Sequence, residues 1–268
     1  MTADQGLLVD GEPVSEGDLT CLALANYGAY TSFRVEGGGV RGLDLHLARL
    51  ETSAVELFGE AVGEDRLRDL MRLAAAGRGD CWLRVSLFSP EVWPRTPGWT
   101  GRPKVMIGVF PPPPPLADSG LRLQAQTYVR EAAHLKHTAN FGLIRARRLA
   151  RAAGFDDALF ADGSGRISEG SLWNIGFVSG GEVIWPEAPM LVGVTLTLLQ
   201  RGLEARGMPS RVQPVRLEDL PGFDGAFICN SATPACAVAS IDGLAFDPAG
   251  APLETLRAIW ASQPCQPI

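Results

Sequence analysis

Five consecutive prolines, Pro111–Pro115, constrain this chain more than any other stretch of its sequence. Proline has a fixed φ and no backbone N–H, so such a run cannot enter a helix or the interior of a sheet and prefers a stiff, extended form. A proline-motif ligand is the other interpretation, but such ligands usually lie in disordered tails. We therefore expect a smaller domain at 1–110, a rigid connector at 111–120 and a larger domain at 121–268.

The first 110 residues combine helical and strand-like patterns. Apolar residues recur at helical spacing in 43–58 and 65–75, and a glycine lies shortly after each stretch. The strands that alternation and apolar runs predict are 30–35, 82–88 and 105–109. The segment 89–103 is rich in Pro, Gly and Trp and reads as a loop. An α+β domain follows from this order.

The second half predicts a mixed sheet with helices. Two helices are expected, at 141–153 and 195–206, each followed by a glycine. The predicted strands are 121–129, 158–160, a strand at 167, 172–178, 182–185, 226–230 and 237–241. Asp162-Gly163-Ser164-Gly165 and Ser179-Gly180-Gly181 have the composition of hairpin turns.

Charge and composition exclude several functions. The net charge is −6, and the arginines are mixed with acids, so nucleic acid is not expected as a partner. No apolar run is long enough to span a membrane, and no signal peptide is recognisable at the N-terminus. The five cysteines have irregular spacing without C-x-x-C, which indicates a reducing cytoplasm and no metal site.

Lysine is unusually rare here. Of 24 Lys and Arg residues, only Lys104 and Lys136 are lysines. Unlike arginine, lysine can lose a proton near neutral pH and attack a carbonyl to form a Schiff base. Lys104 starts an apolar run and reads as a charge at a strand edge. Lys136 precedes a predicted helix, which makes it the candidate for chemistry, although an ordinary exposed lysine would also fit.

A lysine Schiff base with pyridoxal phosphate would need further groups. One is a carboxylate for the pyridine nitrogen, and Glu169 stands in a turn before an apolar strand. Another is an anion site, which Gly193-Val194-Thr195 offers at a helix start and Asn230-Ser231-Ala232-Thr233 offers after a strand. Each of these also has an ordinary structural interpretation as a turn or cap. Arg49 taken alone reads as a surface arginine.

Taken together, these segments resemble the class IV, or fold type IV, pyridoxal-phosphate aminotransferases, which include branched-chain and D-amino-acid aminotransferases and aminodeoxychorismate lyase. The resemblance runs from about Asp18 to about Gly243. The matching positions, in chain order, are His46, Arg49 and Leu50, Lys136 and Asn140, Ser168 to Ser171, Asn174 and Ile175, Gly193 to Thr195, and Asn230 and Ser231.

The resemblance implies a barrel-like, mixed α/β C-terminal domain that binds pyridoxal 5′-phosphate, and a homodimer. It implies that Lys136 forms the Schiff base and moves the proton, and that Glu169 pairs with the pyridine nitrogen. The residues implied to hold the phosphate are Arg49, Val194, Thr195, Ser231 and Ala232. Tyr30 matches an aromatic position on the substrate side. The implied reaction moves an amino group between an amino acid and a 2-oxo acid.

Two departures from the family's pattern leave the substrate open. Phe141 stands where many branched-chain members have a tyrosine, five residues after the lysine. Trp173 replaces a small residue and either narrows the substrate pocket or packs in the core. Arg84 and Arg95 are candidates for holding a substrate carboxylate, because guanidinium groups grip carboxylates with two hydrogen bonds.

The alternatives to an aminotransferase are a lyase and a protein without catalysis. Aminodeoxychorismate lyase eliminates pyruvate to give 4-aminobenzoate. Three segments lean toward this lyase: the pair Lys136-His137, the segment Phe227–Asn230 with Pro234, and Tyr30-Thr31-Ser32. A non-catalytic cofactor-binding or scaffold protein on the same fold is the third possibility.

Overall fold

A computed structural model of the chain describes residues 6–114, 116 and 119–268. Three positions of the predicted connector, 115, 117 and 118, therefore lie outside the described residues, as does the segment 1–5. The predicted domain boundaries remain a prediction. The described residues fall into two compact units. Unit 1 holds the residues up to Pro113 together with Leu135–Ala139 and Pro264–Ile268, and unit 2 holds the others between Pro114 and Gln263.

The strands in the described part of the chain are β1 (Leu7–Val9), β2 (Glu12–Pro13), β3 (Gly28–Val35), β4 (Gly39–Arg41), β5 (Cys81–Phe88), β6 (Lys104–Phe110), β7 (Leu121–Thr127), β8 (Asp157–Ala161), β9 (Ile167–Gly170), β10 (Asn174–Ser179), β11 (Glu182–Pro186), β12 (Ser210–Gln213), β13 (Gly225–Cys229), β14 (Cys236–Ile241), β15 (Leu244–Ala245) and β16 (Cys265–Pro267). The α-helices are α1 (Glu16–Leu24), α2 (Leu43–Phe58), α3 (Glu64–Ala75), α4 (Phe141–Ala152), α5 (Val194–Ala205) and α6 (Leu253–Ala261). Two short 3₁₀ helices span Leu217–Gly222 and Pro248–Gly250.

In unit 1 an antiparallel sheet is ordered β2-β1-β6-β5-β3. Alternate side chains of β3, β5 and β6 pack with the apolar sides of α2 and α3 in one buried cluster. Helix α2 presents Leu43, Leu47, Leu50, Ala54 and Phe58 to this core and ends at Gly59, whose φ of 84° an L side chain rarely adopts. The predicted helices and strands of this half are confirmed, to within one or two residues at their ends.

The opposite face of this sheet is not covered by α2 and α3. Helix α1 packs at one end of that face, where Cys21 lies in a small cluster with Phe88 and Val9. Tyr30 and Arg84 lie on the same face, because they are out of phase with the core residues Phe33 and Leu83 on their strands.

In unit 2 the strands follow the order β12-β11-β10-β13-β14-β7-β8-β9, with β15 paired to β14. Strand β9 also lies against β10, so the sheet curls back toward itself. One face encloses an apolar cluster that includes Leu159, Ile175 and Ile228. Side chains of the other face, such as Phe227 and Val178, pack with α5 and α6, while α4 covers β8. The predicted mixed, barrel-like α/β architecture is confirmed.

The predicted strand at 172–178 needs a correction at its start. Strand β10 begins at Asn174, because Ser171 to Trp173 form a tight turn in which the Gly170 N–H donates to the carbonyl of Trp173 at 2.9 Å. The apolar side chains of Leu172 and Trp173 made this turn look like strand.

Candidate active site

Lys136 lies at the edge of the sheet in unit 1. Its carbonyl accepts a hydrogen bond from the Tyr30 N–H at 2.8 Å, and the Thr138 N–H donates to the carbonyl of Gly28 at 2.9 Å. Ala29 and His137 are thereby paired as in an antiparallel ladder. The segment around Lys136 is thus joined to β3 by an isolated antiparallel bridge, although it comes after the proline run in sequence.

The Lys136 side chain lies beside two residues that the sequence put on the substrate side. Its Nζ is 4.9 Å from the centre of the Tyr30 ring, and the guanidinium carbon of Arg84 is 3.6 Å from the same centre. Both cations are within the range in which an aromatic face attracts positive charge. The structure therefore brings together Lys136, Tyr30 and Arg84, with Tyr30 itself buried.

A buried histidine lies on the other side of β3. His46, on α2, has its Nδ1 2.6 Å from the hydroxyl of Thr31, and its ring is 4.7 Å from that of Phe33. Burial lowers the pKa of His46 well below its usual value, and the positive charges of Arg49 and Lys136 lower it further. Arg49 is half-buried one turn after His46 on the same helix. The neutral form of the His46 imidazole is therefore favoured, and two predicted site residues contribute to this. The position of His46 in the motif did not indicate this effect.

In unit 2, Glu169 forms a buried ion pair. Its Oε1 is 3.2 Å from Arg130, and the two side chains are only 7% and 5% exposed. A carboxylate at this depth needs a positive partner, because burying a lone charge is costly. Arg130 was not among the sequence candidates, since a single arginine 39 positions before Glu169 carries no local signal.

The turn after Glu169 is held by Asp157 on β8. This buried carboxylate accepts hydrogen bonds from the Ser171 hydroxyl at 2.7 Å and the Trp173 indole at 3.1 Å, and Arg147 of α4 lies 3.5 Å away. Trp173 packs in the enclosed apolar cluster. Of the two interpretations of this residue, packing in the core and narrowing the substrate pocket, its position fits packing. Gly170 leaves room for that ring, because a Cβ at this position would overlap the indole.

The predicted phosphate-binding residues of unit 2 lie at two chain turns. Val194 and Thr195 begin α5, which starts without a side-chain cap in the described structure. Thr195 is 1% exposed, and its hydroxyl has no hydrogen-bond partner among the described residues. Ser231 and Ala232 lie in a turn shaped by Asn230, whose Oδ1 accepts from the N–H groups of Ala232 and Thr233 at 2.9 and 2.8 Å.

Among the described residues, the predicted substrate residue Arg95 and the departure Phe141 show no contact with these groups. Arg95 is exposed in the loop 89–103, and no contact with another candidate is seen among the described residues. Phe141 begins α4 with 76% of its surface exposed.

Membrane-spanning helices and metal clusters are both absent from the described ranges. No helix there is both long and apolar enough to cross a bilayer. No three His, Cys, Asp or Glu side chains in those ranges are grouped as a metal ion requires. All five cysteines have free thiols, four of them buried, and burial raises the pKa of Cys229.

Comparison with known proteins identifies relatives of most of the chain. Residues 28–241 match the family model described as amino-transferase class IV. A putative branched-chain-amino-acid aminotransferase of Methanocaldococcus jannaschii is 26% identical over 239 residues, which cover 81% of this chain and 79% of that protein.

Solved structures share the fold. A branched-chain aminotransferase of the thermophilic archaeon Thermoproteus uzoniensis, solved with norvaline, has a TM-score of 0.79 and 22% identity, covering 96% of this chain and 92% of that one. A putative 4-amino-4-deoxychorismate lyase of Legionella pneumophila has a TM-score of 0.79 and 20% identity, covering 91% and 93%. At these identities the likeness establishes the fold and not the substrate, and the predicted fold type IV is confirmed.

Proposed function

Because the chain belongs to the amino-transferase class IV family, we propose that it is a pyridoxal-phosphate-dependent enzyme that moves an amino group between an amino acid and a 2-oxo acid. The observation that supports this most directly is Thr195. A buried hydroxyl without a partner among the described residues, at the uncapped start of a helix, fits a phosphate group that would accept its hydrogen bond.

The remaining residues have the chemistry that this cofactor requires. Lys136 supplies the primary amine, and Glu169 supplies a buried carboxylate whose charge is balanced by Arg130. Arg49, Val194, Thr195, Ser231 and Ala232 are proposed to bind the phosphate. The cofactor would contribute an aldehyde that reacts with amines and a ring that accepts the electron pair left when the substrate Cα loses its proton.

Each protein group has a separate task in this scheme. The Lys136 amine is proposed to take the proton from the substrate Cα and to deliver it to the carbon that carried the cofactor's aldehyde. It would run this transfer in reverse when a 2-oxo acid takes up the amino group. Glu169 would accept a hydrogen bond from the protonated pyridine nitrogen and so keep the ring electron-poor. Arg84, beside the Tyr30 ring, is the better placed of the two arginines to hold a substrate carboxylate, because Arg95 is exposed in a loop.

A second candidate is aminodeoxychorismate lyase activity. The Lys136-His137 pair leans toward this activity, and Phe141 in place of tyrosine weakens a branched-chain assignment. Both activities use the same lysine and cofactor, so they differ in which substrate is bound. We propose that the loop 89–103 and the residues around Tyr30 select that substrate.

The test is a substrate screen with purified protein loaded with pyridoxal phosphate. Branched-chain and other amino acids are offered with 2-oxoglutarate, and glutamate formation is measured; aminodeoxychorismate is offered separately, and pyruvate release is measured. Amino transfer with at least one amino acid is the expected result. Pyruvate release without amino transfer would establish the lyase instead, and the absence of both with cofactor bound would contradict the proposal.

A further inference from the structure

Asn174 is a buried residue on β10, and both the nitrogen and the oxygen of its side-chain amide form hydrogen bonds. Its Nδ2 donates to the carbonyl of Leu191 at 2.8 Å, and its Oδ1 accepts from the N–H of Gly193 at 3.1 Å. These two partners lie in the segment that leads directly into α5. A single side chain of the sheet therefore fixes the backbone just before the helix begins.

Gly193 is fitted to this contact. A Cβ at Gly193 would overlap the amide oxygen of Asn174, while its φ of −67° is available to any residue. The glycine is therefore needed for close approach and not for an unusual backbone conformation. The Gly193 carbonyl in turn accepts from both the N–H and the hydroxyl of Thr197, at 3.0 and 3.1 Å, so the first turn of α5 is tied to the same residue.

Asn174 also stands next to the second predicted phosphate-binding turn. It is paired in register with Cys229, the last residue of β13, and Asn230 to Thr233 follow directly. Asn230 reaches back with its Nδ2 to the carbonyl of Leu172 at 3.2 Å. The two turns that carry Thr195 and Ser231 are thus anchored to the same end of β10.

We propose that Asn174 is a positioning residue for phosphate: it holds the start of α5, with the buried Thr195 hydroxyl, where a phosphate group can be bound. This inference rests on the proposed function. It predicts that Asn174 matters for the phosphate of the cofactor and not for the pyridine ring, whose proposed partner is Glu169. Loss of the two side-chain hydrogen bonds should weaken phosphate binding by about tenfold.

The test compares two ligands that differ only in the phosphate. Protein freed of cofactor by dialysis is titrated with pyridoxal 5′-phosphate and with pyridoxal, and binding is followed by absorbance. For Asn174→Ala we expect about tenfold weaker binding of pyridoxal 5′-phosphate and nearly unchanged binding of pyridoxal. Inorganic phosphate should also compete less well with pyridoxal 5′-phosphate in this variant.

Gly193→Ala provides a second measurement that does not depend on removing the asparagine. The added methyl should displace the Asn174 amide and produce the same selective loss. In the double variant the overlap is gone, so Gly193→Ala should add little to Asn174→Ala. Ser210→Ala is the matched control, because it removes one side-chain hydrogen bond, from the Trp185 indole at 3.0 Å, elsewhere in the same sheet.

The outcomes separate this inference from the function on which it rests. If Asn174→Ala or Gly193→Ala weakened the binding of both ligands equally, or of neither, the positioning role would be overturned. Binding of pyridoxal 5′-phosphate by the wild-type protein would still support the proposed cofactor. A wild-type protein that binds neither ligand would overturn both proposals. Should Asn174→Ala fail to fold, the ligand selectivity of Gly193→Ala decides.

Discussion

At the scale of single residues, the rarity of lysine in the sequence and the surroundings of each lysine in the structure tell different things about the two lysines. The scarcity of lysine drew attention to Lys136, and the structure places its amine near Tyr30 and Arg84. Lys104, the other lysine, forms an ion pair at 2.7 Å with the largely buried Asp18, which also caps α1 with Ser15. Its role in the described structure is therefore that of a stabilising charge at the start of β6, as its position before an apolar run indicates.

Chemical labelling can decide between the two lysines. Borohydride reduction of protein loaded with pyridoxal phosphate should fix the cofactor on Lys136, and peptide mass spectrometry should find it there. Lys136→Ala should abolish both the label and amino transfer, with a rate loss of at least about a thousandfold. Lys104→Arg, which can keep the ion pair with Asp18, should leave both unchanged. A label on Lys104 in the wild-type protein would contradict the assignment.

His46 predicts a loss of stability at mildly acidic pH. Its pKa in the folded protein is lowered by burial, so below the unfolded value of about 6.5 the unfolded chain gains a proton that the folded chain resists. Stability should therefore fall as the pH drops below that value, by about 1.4 kcal/mol per pH unit for this group. Urea unfolding at pH 7.5 and 5.5 measures the loss.

His46→Gln should reduce this pH dependence, whereas His134→Gln, which changes an exposed histidine, should leave it as in the wild type. An identical acid loss in His46→Gln and wild type would show that another group is responsible.

At the scale of elements, the predicted hairpins and amphipathic helices are all present in the described structure. Helix α2 was predicted at its observed ends because its apolar spacing and following glycine are local signals. Helix α1 was not predicted, because it buries only Asp18 and Cys21 and so has no apolar period. Strand β16 pairs with β4 across more than 200 residues, which no local pattern can indicate.

The turn between β9 and β10 offers a test of packing. Gly170→Ala should destabilise the protein by about 1–3 kcal/mol, because the methyl would overlap the Trp173 indole. Gly163→Ala, in the turn between β8 and β9, is the control: a Cβ there meets nothing within 4 Å. Its effect should stay within about 0.5 kcal/mol or be slightly stabilising. Equal urea midpoints for the two variants would contradict the packing described.

At the scale of the whole molecule, the family resemblance predicts a homodimer. Sedimentation or light scattering of the loaded protein should give twice the chain mass of 28.6 kDa. A mass that stays at one chain over the micromolar range would contradict the prediction. The substrate screen belongs to this scale too, because it tests the assembled site and not a single side chain.

The sequence by itself determined the elements with a strong local period of apolar residues, the family, and the candidate residues Lys136, Glu169 and Thr195. A motif can be recognised from residue types and their order along the chain, whatever path the chain takes between them. Tertiary structure alone decided that the Lys136 segment lies beside β3, that Arg130 pairs with Glu169, and that Asn174 holds the start of α5. These contacts join distant parts of the chain by burial and hydrogen bonding. No local pattern encodes such pairs, because each partner alone has an ordinary residue type in an ordinary setting.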